Sequence, residues 1–356
     1  VTYQVNSISA ITDVPALVGT FAALIGWETD LTTPTQPILR RPQGGDSNSG
    51  SNSAFEASDA IPFQVTASVA GSTHTLTCAA YQYDSESNSA VTALQAGSAI
   101  FASPVVGAGS PAVVLPTQVH LIGALTPEPY IAIIVEYGSN LYRHMYIGNM
   151  EKVGDYQGGE CISATDGPGN SSSTRVYYDL DMKYLFSGRQ SRRAAAESGG
   201  VHVDHADNAY PWRFFVGSTA TSSTPLLSFP VNGVIGGYND AINDGYLARG
   251  RSPFASLNTL SPINLYNADP IVGDVEFRPI GRPAGVRHVH MQDLQPGAEI
   301  IVGGMLWRVF PSHARRSEVT MPESTGSGSN PPEFETSLWV GYAYAVGEED
   351  SNSAGA

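Results

Sequence analysis

Cysteine and lysine are nearly missing from this sequence, and charge is scarce. The 356 residues hold two cysteines, Cys78 and Cys161, too few and too far apart for the disulfide framework of a small secreted domain. Both are expected to be reduced, buried and packed as small apolar residues. Lysine occurs only at Lys152 and Lys183, against 16 arginines, a bias that a GC-rich genome produces by itself. Charged residues make up 14% of the chain where about 25% is usual, and Ser, Thr, Asn and Gly take their place. That composition suits strands and loops better than exposed helices. The charge that remains is one-sided, with 33 Asp+Glu against 18 Lys+Arg for a net −15, which repels phosphates and argues against a nucleic-acid partner. No run approaches the ~20 apolar residues of a membrane helix, and the longest candidate, Ala16 to Trp27, is interrupted by Gly and Thr. A soluble chain without membrane insertion is expected. Its opening, Val1-Thr-Tyr-Gln-Val-Asn with the first basic residue at Arg40, is unlike the basic and then apolar start of an export signal.

Between Thr12 and Gly26 the apolar residues Val14, Leu17, Val18, Phe21, Leu24 and Ile25 recur at three- and four-residue spacing, which predicts an amphipathic helix. Thr12 or Asp13 can cap it, Pro15 fits its first turn, and Gly26 can end it before a strand at Trp27. The glycine-rich polar stretch 40–59 has nothing to bury and reads as a mobile loop or hairpin tip. Strands are predicted at Phe63 to Ala70, Thr73 to Tyr83, Val113 to Gly123 and Tyr130 to Tyr137. The last is so uniformly apolar that it should be central, covered on both faces, and Gly138-Ser139-Asn140 should turn it into a return strand Leu141 to Ile147. Gly148, Gly154, Gly158 and Gly159 then read as breaks, and 163–174 as a second loop.

From 175 to 260 the chain reads as irregular, with a short helix around Arg189 to Ser198 and a brief strand Trp212 to Val216. Beyond it, strands are predicted at Val275 to Ile280, Val286 to His290, Glu299 to Val302, Leu306 to Phe310 and Leu338 to Val346, with Gly303-Gly304 as a tight hairpin turn. A third polar tract runs from Pro322 to Pro332. The expected fold is mainly β (α+β): an N-terminal amphipathic helix with antiparallel β-sheets and long polar loops. Its expected parts are an N-terminal helix plus β-rich region over 1–174, an irregular connecting region over 175–260, and a C-terminal β-rich region over 261–356.

Several residue groups carry possible chemistry. In His202-Val-Asp204-His205-Ala-Asp207 the imidazoles and carboxylates could hold Zn²⁺ or Mn²⁺, but the spacing is not His-Glu-x-x-His and a strand would split the four groups two and two. An exposed polar loop is the plainer reading. His288 and His290 share a strand face, with His313 or Asp293 as a further ligand, and read instead as hydrogen-bonding histidines facing a neighbouring subunit. His144, beside Arg143, reads as a packed strand residue. Gly326-Ser327-Gly328 lacks the strand and helix of a nucleophile elbow, and the glycines from Gly148 to Gly159 lack the Gly-Lys-Ser/Thr end of a phosphate loop. The acids Asp179, Asp181, Glu348, Glu349 and Asp350 suit an acidic surface, and Asp240, Asn243 and Asp244 lack a full calcium-loop pattern. No catalytic residue, metal or cofactor is therefore expected. The paired arginines Arg192, Arg193 and Arg315, Arg316 stand out in an acidic chain and could clamp carboxylates of a neighbour, or be ordinary solvated arginines.

The segment Tyr130-Ile-Ala-Ile-Ile-Val-Glu-Tyr-Gly-Ser-Asn-Leu-Tyr-Arg-His-Met-Tyr-Ile-Gly-Asn-Met-Glu-Lys-Val-Gly-Asp-Tyr-Gln-Gly-Gly-Glu160 resembles one common in virion structural proteins of tailed bacteriophages. Those proteins are similar to this chain in three further places: a short helix running into Gly26-Trp27-Glu28, the stretch Val286-Arg-His-Val-His-Met-Gln-Asp-Leu-Gln-Pro-Gly-Ala-Glu-Ile-Ile-Val-Gly-Gly-Met-Leu-Trp-Arg-Val-Phe-Pro311, and a closing strand Gly341-Tyr-Ala-Tyr-Ala345. The order along the chain is the same. The Ser/Asn-rich tract 46–53 and the acidic run Glu348-Glu349-Asp350 depart from the family pattern. The resemblance implies a scaffold signature with no catalytic assignment. It implies a non-enzymatic tail or baseplate component, assembled in the host cytoplasm into the virion, whose partners are other copies of itself and other phage tail or baseplate proteins. A head-to-tail connector or collar protein, a receptor- or glycan-binding tail protein and a polysaccharide-degrading tailspike are the other readings that the sequence leaves open.

Overall fold

A chain with so few charged helix formers satisfies its backbone mainly between strands. A computed structural model describes residues 1–41, 62–71, 73–84, 89–106, 112–138, 141–154, 158–165, 185, 200–207, 210–216, 226–230, 260–271, 274–291, 294–312 and 340–348. Of these, 62% lie in strands, arranged as three antiparallel sheets beside one short α-helix. The fold is mainly β, as the composition implied. Among the described residues no helix is long and apolar enough to cross a membrane.

The chain opens with strand β1 (Thr2–Ser7) and a 3₁₀ turn (Ile11–Asp13), then helix α1 (Val14–Leu24). The turn is held by Asp13, whose Oδ2 accepts the amides of Ser9 at 3.1 Å and Ala10 at 3.0 Å, so this carboxylate caps the turn before the helix. Helix α1 buries Val14, Val18, Phe21 and Ala22, with Leu17 and Ile25 partly buried beside them, but Leu24, which the spacing placed on the same face, is exposed. It ends where Gly26, at φ 93°, lets the Trp27 amide reach the Ala22 carbonyl at 2.9 Å. Strands β2 (Glu28–Asp30), β3 (Ile38–Arg40), β4 (Phe63–Ala70), β5 (Thr73–Asp84) and β6 (Ser89–Ala102) follow as a five-stranded sheet in chain order.

After the small pair β7 (Val105–Val106) and β8 (Ala112–Val113) come β9 (Pro116–Ala124), β10 (Tyr130–Tyr137), β11 (Leu141–Lys152) and β12 (Gly158–Ala164). Val113 to Gly123 is thus two strands, not one. Within 175–260, where irregular chain with a brief strand Trp212 to Val216 was expected, the described residues include β14 (Tyr210–Val216), which contains that strand, and also β13 (Gly200–Asp207) and β15 (Leu226–Pro230). The C-terminal strands are β16 (Ser261–Ile271), β17 (Asp274–Pro283), β18 (Val286–His290), β19 (Glu299–Val302), β20 (Met305–Pro311) and β21 (Val340–Glu348). The possible helix at Arg189 to Ser198 and the tracts 46–53 and 322–332 lie outside the described residues.

Fourteen strands form one sheet, whose main path runs β1-β9-β10-β11-β17-β16-β18-β21-β20-β19. The sheet forks on β11: Met145 to Asn149 pair with β12, while Met150 to Lys152 pair with β17. The fork lets the C-terminal strands fold back over the N-terminal ones. Strand β10, flanked by β9 and β11, is buried on both faces, which makes it the central strand that its apolar run demanded. Ile131, Ile133, Val135 and Tyr137 point to the helix and the five-stranded sheet, against Phe21, Phe63, Leu76 and Phe101. Tyr130, Ala132 and Ile134 point the other way, against Tyr146, Phe310, Tyr342 and Tyr344. Each such fully buried side chain contributes on the order of 1.5–3 kcal/mol. A third apolar cluster, including Trp307, Val309 and Ala343, covers the far side of β20 and β21.

Three of the glycines read as breaks lie inside strands. Gly148 is in β11, and Gly158 and Gly159 are in β12, whereas Gly154, at φ 64°, stands in a turn. At Gly148 the reason is space, because a Cβ there would lie 2.6 Å from Tyr130 Cα and 2.7 Å from the Pro129 carbonyl oxygen.

Candidate functional site

The described polar chemistry concentrates in the seam between the two layers, where three histidines on different strands meet a bank of tyrosines. His144 comes from β11, which runs through the centre of the large sheet, and Tyr344 from β21, which crosses above it. The Pro311 carbonyl, 2.8 Å from His144 Nε2, can only accept, so Nε2 carries the ring proton and donates it. Nδ1 then accepts from the Tyr344 hydroxyl, also at 2.8 Å. Burial holds His144 neutral, with its pKa lowered to about 3. Both ring nitrogens are occupied in a closed interior, so His144 fastens two layers together and is not placed to act as a base.

His288, on β18, is buried against Tyr342 with ring centroids 5.4 Å apart, and burial lowers its pKa to about 3 as well. Among the described residues its Nδ1 is buried without a hydrogen-bond partner. The expectation that His288 faces a neighbouring subunit is therefore corrected: alternation along β18 turns it, like Val286, into the core of its own chain. Other phenols are similarly engaged. Tyr130 donates to the Ala345 carbonyl at 3.1 Å, and Tyr146 donates to the carbonyls of Asn149 at 3.0 Å and Ala284 at 3.1 Å. Burial raises the pKa of both, so neither is a poised nucleophile.

At the open margin of the seam, β1, β9 and β10 line up Tyr3, His120 and Glu136. The Tyr3 hydroxyl and His120 Nδ1 are 2.8 Å apart, and His120 Nε2 and Glu136 Oε2 are 3.4 Å apart. The guanidinium of Arg308, ion-paired with Glu299, lies over the Tyr3 ring at 4.1 Å from its centroid. Burial raises the Tyr3 pKa, so this row holds a phenol proton in place without activating it. Sequence reasoning passed over Tyr3, His120 and Glu136. The available signal was Glu136 as the one charged residue in the apolar run of β10, and His120 among the apolar residues that close β9.

The residues singled out from sequence are not brought together. Arg192, Arg193, Arg315 and Arg316 lie outside the described residues, as do His313, Asp293, Asp179, Asp181, Asp240, Asn243, Asp244, Glu349, Asp350 and Gly326 to Gly328. The stretch His202 to Asp207 is backbone of β13, a strand paired with β12 and β14 where a polar loop was expected; His202 is in register with Ile162 on one side and Val216 on the other. Among the described residues no three His, Cys, Asp or Glu side chains converge as a metal site.

Cys78 and Cys161 are free and buried, and burial pushes both thiols well above their ordinary range. Neither thiol is expected to react with a maleimide in the native protein, and two adducts are expected after denaturation without reductant. A tryptic peptide pair joined by a disulfide between them would refute this.

No protein-family model matches the chain, and no curated protein does.

Proposed function

We propose that the protein is a structural component of a tailed-phage virion, at the tail or baseplate, that works by holding a symmetric position and contacting neighbouring subunits without breaking a bond. One observation carries this reading: the segments that resemble phage virion proteins, far apart in sequence, are the ones that build the scaffold. Residues 130–160 supply β10, β11 and the start of β12, residues 286–311 supply β18 to β20, and Gly341 to Ala345 lie within β21. Side chains from all three meet in one of the buried clusters, which includes Tyr130, Tyr146, Val286, Phe310, Tyr342 and Tyr344. There His144, Tyr130 and Tyr344 engage their polar groups in bonds that hold the layers together, which suits a scaffold.

The test uses phage particles encoding this chain. The chain is expected among the proteins of purified particles at a fixed copy number, and its absence ends the reading. Deleting 46–53 or 322–332 is expected to leave the melting curve of the free protein unchanged while lowering incorporation, since neither tract has apolar side chains to contribute to a core. Normal incorporation and infectivity after both deletions would instead move the contacts elsewhere on the molecule.

A further inference from the structure

The large sheet has two ends along its main path, β1 and β19, and β1 differs from the other strand edges in what it exposes. Open edges invite pairing with another chain, and proteins blunt them with charge, proline or cover. Strand β2 carries Glu28 and Asp30, β14 carries Pro211 and Arg213, β15 carries Pro230, and β19 is four residues long with Glu299 at its start. Strand β6 packs against β11 to β14. Strand β1, Thr-Tyr-Gln-Val-Asn-Ser, has neither charge nor proline, and no described strand pairs with its outer side.

The orientation of its backbone groups follows from one hydrogen bond. The Ile8 amide donates to the Thr117 carbonyl at 3.0 Å, so Ser7 and Gln118 are a non-hydrogen-bonded pair and the alternation runs back along the strand. Thr2, Gln4 and Asn6 therefore bond to β9, while Tyr3, Val5 and Ser7 turn their N–H and C=O groups to the open edge. These three residues are centred on Val5, and an antiparallel copy of the same strand can meet all of them at once.

We propose that the outer edge of β1 is where a second copy of this chain adds, antiparallel and about a two-fold axis, with Val5 of one copy opposite Val5 of the other and Tyr3 opposite Ser7. This names the partner within the assembly reading above and rests on it. The charge pattern selects a second copy. Over most of a surface of net −15 two copies repel, but this strand brings no charge opposite its twin, and it places side by side two valines that are each 47% exposed in the single chain. A single pair of six-residue strands buries less than the ~1,200 Å² of a standard stable interface, so the association is reversible and concentration-dependent.

Sedimentation velocity and light scattering over a concentration series of the full chain decide the matter. The wild-type chain is expected to show a monomer–dimer equilibrium. Val5→Lys sets two ammonium groups face to face, and Val5→Pro removes an outward N–H that bonds nothing among the described residues; each should weaken the dimer by about tenfold or more with little change in melting temperature. Val69→Lys, at an exposed position on β4, should dimerise like wild type. A wild-type chain that stays monomeric to its solubility limit overturns the proposal, as does a Val5→Lys or Val5→Pro dimer as tight as wild type. Dimerisation sensitive to Val5 in a protein absent from particles would support the edge pairing and reject the virion reading, so the two failures are separable.

Discussion

Replacing Gly148 by valine is expected to leave the chain unable to fold. Strand β11 passes β10 so closely there that a Cβ would stand 2.5 Å from Tyr130 Cβ, 2.6 Å from Tyr130 Cα and 2.7 Å from the Pro129 carbonyl oxygen. These atoms belong to the backbone and first side-chain carbon of the neighbouring strand, so none can swing aside as the tip of a flexible side chain could. Tyr130 is also the residue whose hydroxyl bonds Ala345 in the opposite layer, and moving it disturbs both layers. The cost should exceed about 4 kcal/mol, within the rare tail of single substitutions and comparable to the whole stability of many domains. Ile133→Asp, which buries a carboxylate between β10 and the helix layer, should be as damaging. Gly154→Ala supplies the contrast: at φ 64° with nothing within 4 Å, it should cost only about 1 kcal/mol of backbone strain. Soluble yield and urea midpoints measure all three. A Gly148→Val protein that unfolds near the wild-type midpoint would show that β10 and β11 are not in this register.

Acidification from pH 7 to pH 5 is expected to remove a large share of the protein's stability. His144 and His288 have folded pKa values lowered to about 3 by burial, against about 6.5 in the unfolded chain. Between those values the unfolded state binds more protons, so stability is complete above about pH 6.5 and declines as pH falls toward 3. At about 1.4 kcal/mol per pH unit, each histidine costs roughly 2 kcal/mol at pH 5, and the pair roughly 4 kcal/mol. His288→Phe is the informative variant, because it removes one titrating group and one unpartnered buried nitrogen while keeping a planar ring beside Tyr342. Its dependence on pH should fall to about half that of wild type, measured by urea unfolding at both pH values. An unchanged slope would mean that His288 is protonated, or reached by water, in the folded protein.

Local pattern carried a good part of the architecture. The spacing of Val14, Val18 and Phe21 determined helix α1, the apolar run from Tyr130 to Tyr137 determined the central strand, and Gly303-Gly304, at φ 64° and 75°, determined the β19–β20 turn. In each case the deciding forces act within a few residues. Strands β1, β6 and β16 were not legible in the same way. In β6, Ser-Ala-Val-Thr-Ala-Leu-Gln-Ala-Gly-Ser-Ala-Ile-Phe-Ala has weak strand preference, and its conformation is set by the backbone groups of β5 that it satisfies. Alternation likewise shows that Val286 and His288 share a face, but not that the face meets Tyr342 and Tyr344 from 50 or more residues away. Only the tertiary structure decided that His144 and His288 are neutral core groups, that Gly148 is a point of strand contact, and that β1 is an edge which no described strand covers. Sequence periodicity reports which side of an element must leave water; which other element covers it, and which edge is left over, depends on contacts between distant segments that no local window contains.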